Sequence, residues 1–345
     1  MKTSAFAVLI AGLCIACIFS NIGCIQPSDN EVVVFTALDR EFSDPILNDI
    51  GQELDLTIRP KFDMESNKTI GLATSIIENA TKPQADVFWN NEILHTLRLK
   101  NLGLLDVYKA IESENYPPSF YSSEGDWYGF AARARVMIVN TDRISDPTDY
   151  PDSFLDLADE KWKGQCAMAR PLFGTTATHA AVLFAKLGRK KAESLLKSIA
   201  SNATIVGGNK QVALKVSSGE FAFGVTDTDD AMIEIEKANP VAIVFPDQGD
   251  KQEGTLLIPN TLAVIKKGPH PEAARKLVDR LLKADIEQRL AEGSSAQIPL
   301  NRNCPVQSRV EPVDLKVMEV DFEEAAEIWD SIVPFLNETF PAGGQ

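Results

Sequence analysis

The chain has 345 residues, 44% hydrophobic and 24% charged, which excludes a disordered or fibrous chain and suits one large or, more readily, two moderate domains. Its 34 Lys and Arg stand against 49 Asp and Glu, a formal charge of −15, and this excludes a nucleic-acid partner held through phosphates. The acidic balance reads as a solubility feature.

The N-terminus opens with Lys2, an apolar run from Ala5 to Phe19 and then small residues, the anatomy of an export signal, and the run is too short for a confident membrane span. Gly23 directly before Cys24 resembles a bacterial lipobox, with Asn21 where Leu is usual; an ordinary secretory cut nearby is the alternative. Residues 1–23 then form the signal peptide, Cys24 the lipidated first residue, and 24–30 a polar tether. Cys14 and Cys17 fall in the leader. Cys166 and Cys304 are free to pair in an exported protein, although their contexts favour unpaired burial.

From Glu31 the sequence alternates. "EVVVFT" reads as a buried strand, and "DPILNDIGQEL" as a helix with Asp44 as N-cap and Pro45 at its first position. "LDLTIRP" is a strand, "SNKTIGLATSIIENA" a helix capped by Ser66, "ADVFW" a strand, and "NNEILHTLRLKNLG" a helix ending at Gly103. Alternation at this spacing predicts a mainly parallel sheet flanked by helices. "WYGFAARARVMIVNT" lacks a helical period and suits a long strand crossing into a second sheet. The alternation then restarts through "CAMA", "GTTATHAAVLFAKLG", a Lys-rich helix to Ser201, "NKQVALKVSSG", "EFAFGVT", "DDAMIEIEKA" and "VAIVFP". "GTLLIPNTLAVI" is a candidate return crossing, "HPEAARKLVDRLLKADIEQRLAE" a helix, and "FEEAAEIWDSIVPFLNETF" an amphipathic closing helix.

No catalytic signature is present: His95, His179 and His270 are scattered, and HExxH, GxSxG, GxxxxGK[ST] and GxGxxG are all missing. Polar residues recur instead where strands end, the positions that line the ligand crevice of an open parallel sheet. Thr36, Asp39 and Arg40 follow the first strand, and Asn90, Asn91 and Glu92 follow "ADVFW". Arg133 and Arg135 share a face of the crossing strand. Gly174, Thr175, Thr176 and Thr178 open a helix suited to an anion, and Asp227, Asp229 and Asp230 follow "FGVT". Each group also has a structural reading. Thr175, Asn90 and Asp229 read equally as helix caps, Glu92 as a first-turn acid, and the arginines as bridges to acids.

In order along the chain, "VVVFTALDREFSDPIL", "ADVFWNNE", "GFAARARVMIVNT", "PLFGTTATHAA", "SSGEFAFGVTDTDDA" and "GTLLIPNTLAVIKKGPHPEAARKLVDRLL" resemble the substrate-binding component of an ABC importer, type II, ferric-binding branch. The resemblance runs from about Glu31 to about Glu292. It implies a two-lobed α/β periplasmic binding protein, each lobe a sheet flanked by helices, joined by crossing strands and closing like a hinge. It implies no catalysis and no cofactor beyond a ferric ion carried as ligand. Lobe 1 takes residues 31–132 and 255–303, lobe 2 residues 133–254, and residues 304–345 form C-terminal helices packing mainly on lobe 2. Implied partners are the permease and ATPase of the importer and a small ligand or metal ion. The membrane is touched only through the lipid anchor, and the protein is a monomer in the periplasm or on the outer face of the cytoplasmic membrane.

Ferric-binding members bring a His or Tyr from the first loop, an Arg that can hold a synergistic anion, and a tyrosine pair after the "GE" strand. Asp39 and Arg40 occupy the first loop here and Arg133 and Arg135 fit the arginine position, but Thr228, Asp229 and Asp230 stand where the tyrosine pair falls. None of the five tyrosines lies beyond Tyr150. Carboxylates are hard ligands too, so Asp39, Glu92, Asp229 and Asp230 are the candidate metal ligands, with Asp227 beside them. The alternative ligand is an organic anion, a phosphonate or carboxylate, held by Arg40, Arg133, Arg135 and the Thr175 helix start, with the aspartates receiving an amine or hydroxyls; a secreted enzyme on the same scaffold is the remaining alternative.

Overall fold

The computed structural model describes residues 30–63 and 70–341, so the leader, Cys24 and the Ser66 cap lie outside the described residues. Three parallel strands, β1 (Glu31–Thr36), β2 (Thr57–Phe62) and β3 (Val87–Asn90), form the edge of a first sheet with β1 in the middle. Helices α1 (Arg40–Leu54) and α2 (Ile70–Glu78) connect them, and α3 (Leu94–Asn101) follows β3. The 13-residue strand β4 (Tyr128–Asn140) is buried throughout. Its first half pairs with β9 (Leu257–Val264), which runs antiparallel to β3, and its second half with β7 (Phe223–Asp227) and β8 (Val241–Val244). One strand thus belongs to two sheets. The second is completed by β5 (Cys166–Ala169) and β6 (Thr204–Val206), parallel to β7.

Antiparallel pairing is therefore confined to the crossing strands β4 and β9 and to β8; β1, β2 and β3, and β5, β6 and β7, are the parallel parts of the two lobes. The continuous apolar runs of the sequence follow from cover on both faces. Val32 and Val34 of β1, Val87 and Trp89 of β3, and Val136 and Ile138 of β4 pack into one core. Phe35, Phe88, Met137 and Val139, at the alternate positions, pack into the other. The second lobe carries α4 (Gly174–Leu187), α5 (Arg189–Asn202), α6 (Asn209–Ser217) and α7 (Thr228–Glu236). After β9 come α8 (Pro271–Leu281), α9 (Ala284–Glu292) and α10 (Phe322–Thr339), which packs on α3 as well as on α4 and α5.

Several element boundaries differ from the sequence reading. Helix α1 starts at Arg40, with Asp39 rather than Asp44 before it, because the Asp39 carbonyl accepts from the Phe42 and Ser43 N–H groups; Pro45 sits in the second turn. A proline there forfeits a single backbone bond. Helix α3 starts at Leu94, because β3 runs on to Asn90. The single helix expected from His270 to Glu292 is two, broken at Leu282 and Lys283, and the Leu282 carbonyl is taken up by the Tyr116 hydroxyl (2.8 Å) and the Asn301 amide (3.1 Å). Residues 304–321 hold no helix, so the expected C-terminal helices reduce to α10. Cys166 and Cys304 are both unpaired; burial pushes the Cys166 thiol up to about 12. No described helix is long and apolar enough to cross a membrane.

The crossing strand is bent where its register shifts between Phe130 and Arg133. Ala131 takes a positive φ of 43° there, and the buried Glu287 carboxylate accepts its N–H together with those of Leu300 and Asn301. The two arginines that follow the bulge lie two residues apart and so share a face of the strand.

Candidate ligand-binding site

Five loops that leave the carboxyl ends of strands meet around one cavity of about 70 Å³. Asp39 follows β1 and Asn91 follows β3; Arg170 to Thr176 follow β5, Gly207 to Lys210 follow β6, and Asp227 to Asp230 close β7 and open α7, while Arg133 reaches in from β4. This is the crevice position expected of an open α/β sheet, with the walls supplied by both lobes. One water needs roughly 10–15 Å³ by the same measure. In this conformation the cavity suits an ion with a small anion or a few waters.

The acidic end is the Asp227, Asp229 and Asp230 cluster, in which one oxygen from each carboxylate lies within 4.8 Å of the others. The three are not equivalent. Asp227 occupies the N-cap position of α7, yet its carboxylate makes no cap bond, being held by Arg135 Nη1 on Oδ1 (2.7 Å) and by the Thr175 hydroxyl (2.6 Å) and the Asn209 amide (3.1 Å) on Oδ2. Asp229 accepts the N–H of Asp230, and Asp230 accepts the Thr226 hydroxyl. Neither caps α7 as the sequence suggested. Thr175 is likewise no cap: α4 begins at Gly174, whose φ of 54° suits glycine, behind Phe173, and the Thr175 hydroxyl is engaged with Asp227 and Asn209.

The two arginines differ in the same way. Arg135, 1% exposed, is locked by Asp227, Thr175 and Thr176. Arg133 lines the cavity: its Nη2 donates to the Asn91 carbonyl (2.7 Å) and to Asn260 Oδ1 (3.3 Å), and its Nη1 faces Asp229 at 3.5 Å and Asp227 at 4.0 Å. Burial alone would lower the Arg133 pKa, but Asp229, Asp227, Asp39 and Asp230 together raise it, so its cation is firmly held. Arg170, Lys210 and the N-terminal ends of α4 and α6, whose first N–H groups favour negative charge, also line the cavity.

Apart from Arg135 and Thr178, which do not line the cavity either, four sequence candidates lie elsewhere. Thr36 is fully buried and accepts the Leu38 N–H in the turn after β1. Arg40 is exposed and stacked on Phe62, 4.2 Å from the ring centroid, beside the cavity rather than lining it. Asn90 donates to Glu92 Oε1 (2.6 Å). Glu92 itself, offered as a metal ligand, is fully buried away from the acid cluster. Its oxygens accept from the N–H groups of Leu94 and His95, from His95 Nδ1 (3.0 Å) and from the Thr178 hydroxyl (2.7 Å). It therefore caps α3 and ties that helix to α4. Sequence reasoning in turn missed Asn209, Lys210 and Arg170. The signal was available in "IVGGNK", a strand ending in glycines before a helix, the same junction that flagged the other loops.

The family profile of bacterial extracellular solute-binding proteins matches residues 84–327. The Fe(3+)-binding periplasmic protein of Serratia marcescens is 29% identical over 202 residues, 57% of this chain and 57% of that protein, so the matched stretch spans little more than half of it. The major ferric iron-binding protein of Neisseria meningitidis serogroup A is 23% identical over 318 residues, 91% of each. Iron-bound HitA from Pseudomonas aeruginosa superposes with a TM-score of 0.79 at 21% identity, over 90% of this chain and 99% of that one. The chain belongs to the bacterial extracellular solute-binding protein family, with the two-lobed type II periplasmic binding fold of its ferric-binding members.

Proposed function

We propose that this protein is the extracytoplasmic solute-binding component of an ABC importer, carrying ferric iron together with a small anion in the cavity between its lobes. The observation that carries this reading is the Asp227, Asp229 and Asp230 cluster facing Arg133 and two helix N-termini in one small cavity. Asp229, Asp230 and Asp39 would supply hard oxygen donors to the iron. Asp227 is committed to Arg135 and serves mainly to place the loop. Arg133, Arg170, Lys210 and the start of α4 would hold the anion, whose charge the nearby cations offset. The names of the relatives, which specify ferric iron, support the same cargo. Hinged closure of the lobes on β4 and β9 would bury the ligand and present it to a permease and its ATPase. The protein is read as a binder rather than an enzyme, since the relatives it resembles are named as binding proteins. Export and anchoring through Cys24 complete the proposal.

Titrating the metal-free protein with ferric nitrilotriacetate while following its melting temperature tests this. The melting temperature should rise with the logarithm of ligand concentration, and Asp229→Ala with Asp230→Ala should abolish the rise. Persistence of the rise in the double variant would overturn the assignment of ligands. Because no tyrosine lines the cavity among the described residues, the loaded protein should lack a tyrosinate-to-iron absorption band.

The missing tyrosines also favour a second reading, an organic anion with a cationic or hydroxylated end. Its phosphonate or carboxylate would sit on the helix N-termini and its other end on the aspartates. Stabilisation by such an anion without metal, lost in Arg133→Gln, would replace the iron reading.

A further inference from the structure

A second, larger cavity of about 410 Å³ shares Arg170 and Phe173 with the first and lies between α3, α10 and the loop after β5. Its volume falls in the range of small-molecule sites. Two guanidiniums line it. Arg98, from α3, holds Asp330 of α10 through Nη2 at 3.0 Å, but that carboxylate is 79% exposed and such a pair exchanges readily. Arg170 gives Nε to the Phe340 carbonyl (2.7 Å) and Nη2 to Asn337 (3.3 Å). Each arginine thus keeps Nη1 without a bond to the protein among the described residues. His95, 1% exposed, lines the same cavity, and its Nδ1 is bound to Glu92 while Nε2 has no partner among the described residues. The ring is set edge-on to Trp329, centroids 6.1 Å apart, and both rings form part of the wall. An imidazole that gives its Nδ1 hydrogen to a carboxylate can present a lone pair on Nε2 and accept a hydroxyl hydrogen. Buried polar atoms without partners are uncommon and call for an explanation.

We propose that this cavity binds a small hydroxycarboxylate. Two carboxylates would meet Arg98 and Arg170, the hydroxyl would donate to His95 Nε2, and the carbon skeleton would lie on Trp329 and Phe173. Arg170, common to both cavities, would link this subsite to the cleft. The inference is independent of the iron reading, since it requires no metal.

The test uses metal-free protein and citrate and malate as probes, followed by calorimetry and by tryptophan fluorescence. Both anions should bind and perturb the fluorescence. Succinate, which lacks the hydroxyl, should bind several-fold more weakly, and Arg98→Gln should weaken citrate by about tenfold or more. Trp329→Phe should remove the fluorescence response while leaving the calorimetric binding, which keeps the test decisive if one variant folds poorly. Citrate binding lost in Arg133→Gln but kept in Arg98→Gln would place the anion in the cleft and overturn the proposal. Equal binding of inorganic phosphate, or no binding of citrate to the wild type, would overturn it as well.

Discussion

Glu92 and the Asp229–Asp230 pair occupy matching places, each a carboxylate where a strand ends and a helix begins, one in each lobe. Their surroundings separate them. Glu92 is encircled by five protein donors, from Asn90, Leu94, Thr178 and two groups of His95, and is sealed from solvent. Burial alone would raise its carboxyl, but His95 and these hydrogen bonds outweigh that and hold it below its ordinary value of 4.5. Asp229 and Asp230 instead border a cavity with Arg133 on its wall. A carboxylate enclosed by donors of its own fold serves the fold, and one that borders a cavity beside a cation can serve a ligand. Arg135 and Arg133 repeat the contrast two residues apart.

The widest separation is expected from stability. Glu92→Ala strands the donors of α3 and the Thr178 hydroxyl in the interior, and should cost about 3–5 kcal/mol, the range for breaking a buried charged network. Urea denaturation measures it, and a loss under about 1 kcal/mol would mean that the network is dispensable. The reverse pattern is expected for Asp229→Ala with Asp230→Ala: a smaller loss without ligand than Glu92→Ala, because Arg133 keeps Asp227, Asn91 and Asn260, and loss of the ligand-induced gain, which for the wild type is about 2.7 kcal/mol at a hundredfold excess over Kd. Equal destabilisation by both sets of substitutions would collapse the distinction. Between these stands the arginine pair. Arg135→Gln should lower stability by about 1–3 kcal/mol by leaving Asp227 under-satisfied, whereas Arg133→Gln should act mainly on ligand affinity, read by the same titration.

Much of this was legible in the sequence because strand ends announce themselves. The alternation located both sheets, the crossing strand and the acid loop, and the ordered blocks led to the family. What stayed hidden depends on the third dimension. Nothing in "FWNNEIL" says that Glu92 turns inward to cap α3 while Asn91, its neighbour, faces the cavity. Thr175 looked like a cap and Asp227 like one of three ligand acids, and only the approach of α4 to β7 makes them partners. The break at Leu282 carries no proline or glycine, because its carbonyl is satisfied by Tyr116 and Asn301, distant in sequence. Asn209 was readable from the glycines before it, and was missed because a lone asparagine carries less apparent chemistry than a run of aspartates.

The smallest effect expected concerns pH, and it separates the two carboxylate regions from a third buried group. His179 on α4 is enclosed, its ring 4.2 Å from that of Phe154, and burial, reinforced by the nearby Arg135 cation, holds its pKa well below 6.5. Its folded pKa is depressed, so the unfolded chain takes up a proton that the folded chain refuses. The stability from its neutral form is complete above pH 6.5 and declines as the pH falls below that value, by at most about 1.4 kcal/mol per pH unit for one proton. Glu92, also depressed, follows the same sign in a lower window: its contribution is present above pH 4.5 and is lost as the pH falls through its folded value. Denaturation midpoints taken at intervals from pH 7 downward should therefore show two successive losses. His179→Leu should flatten the upper one and leave the lower, whereas Glu92→Gln should flatten the lower one and leave the upper. An upper loss that survives in His179→Leu would assign it to another group and remove His179 from the comparison.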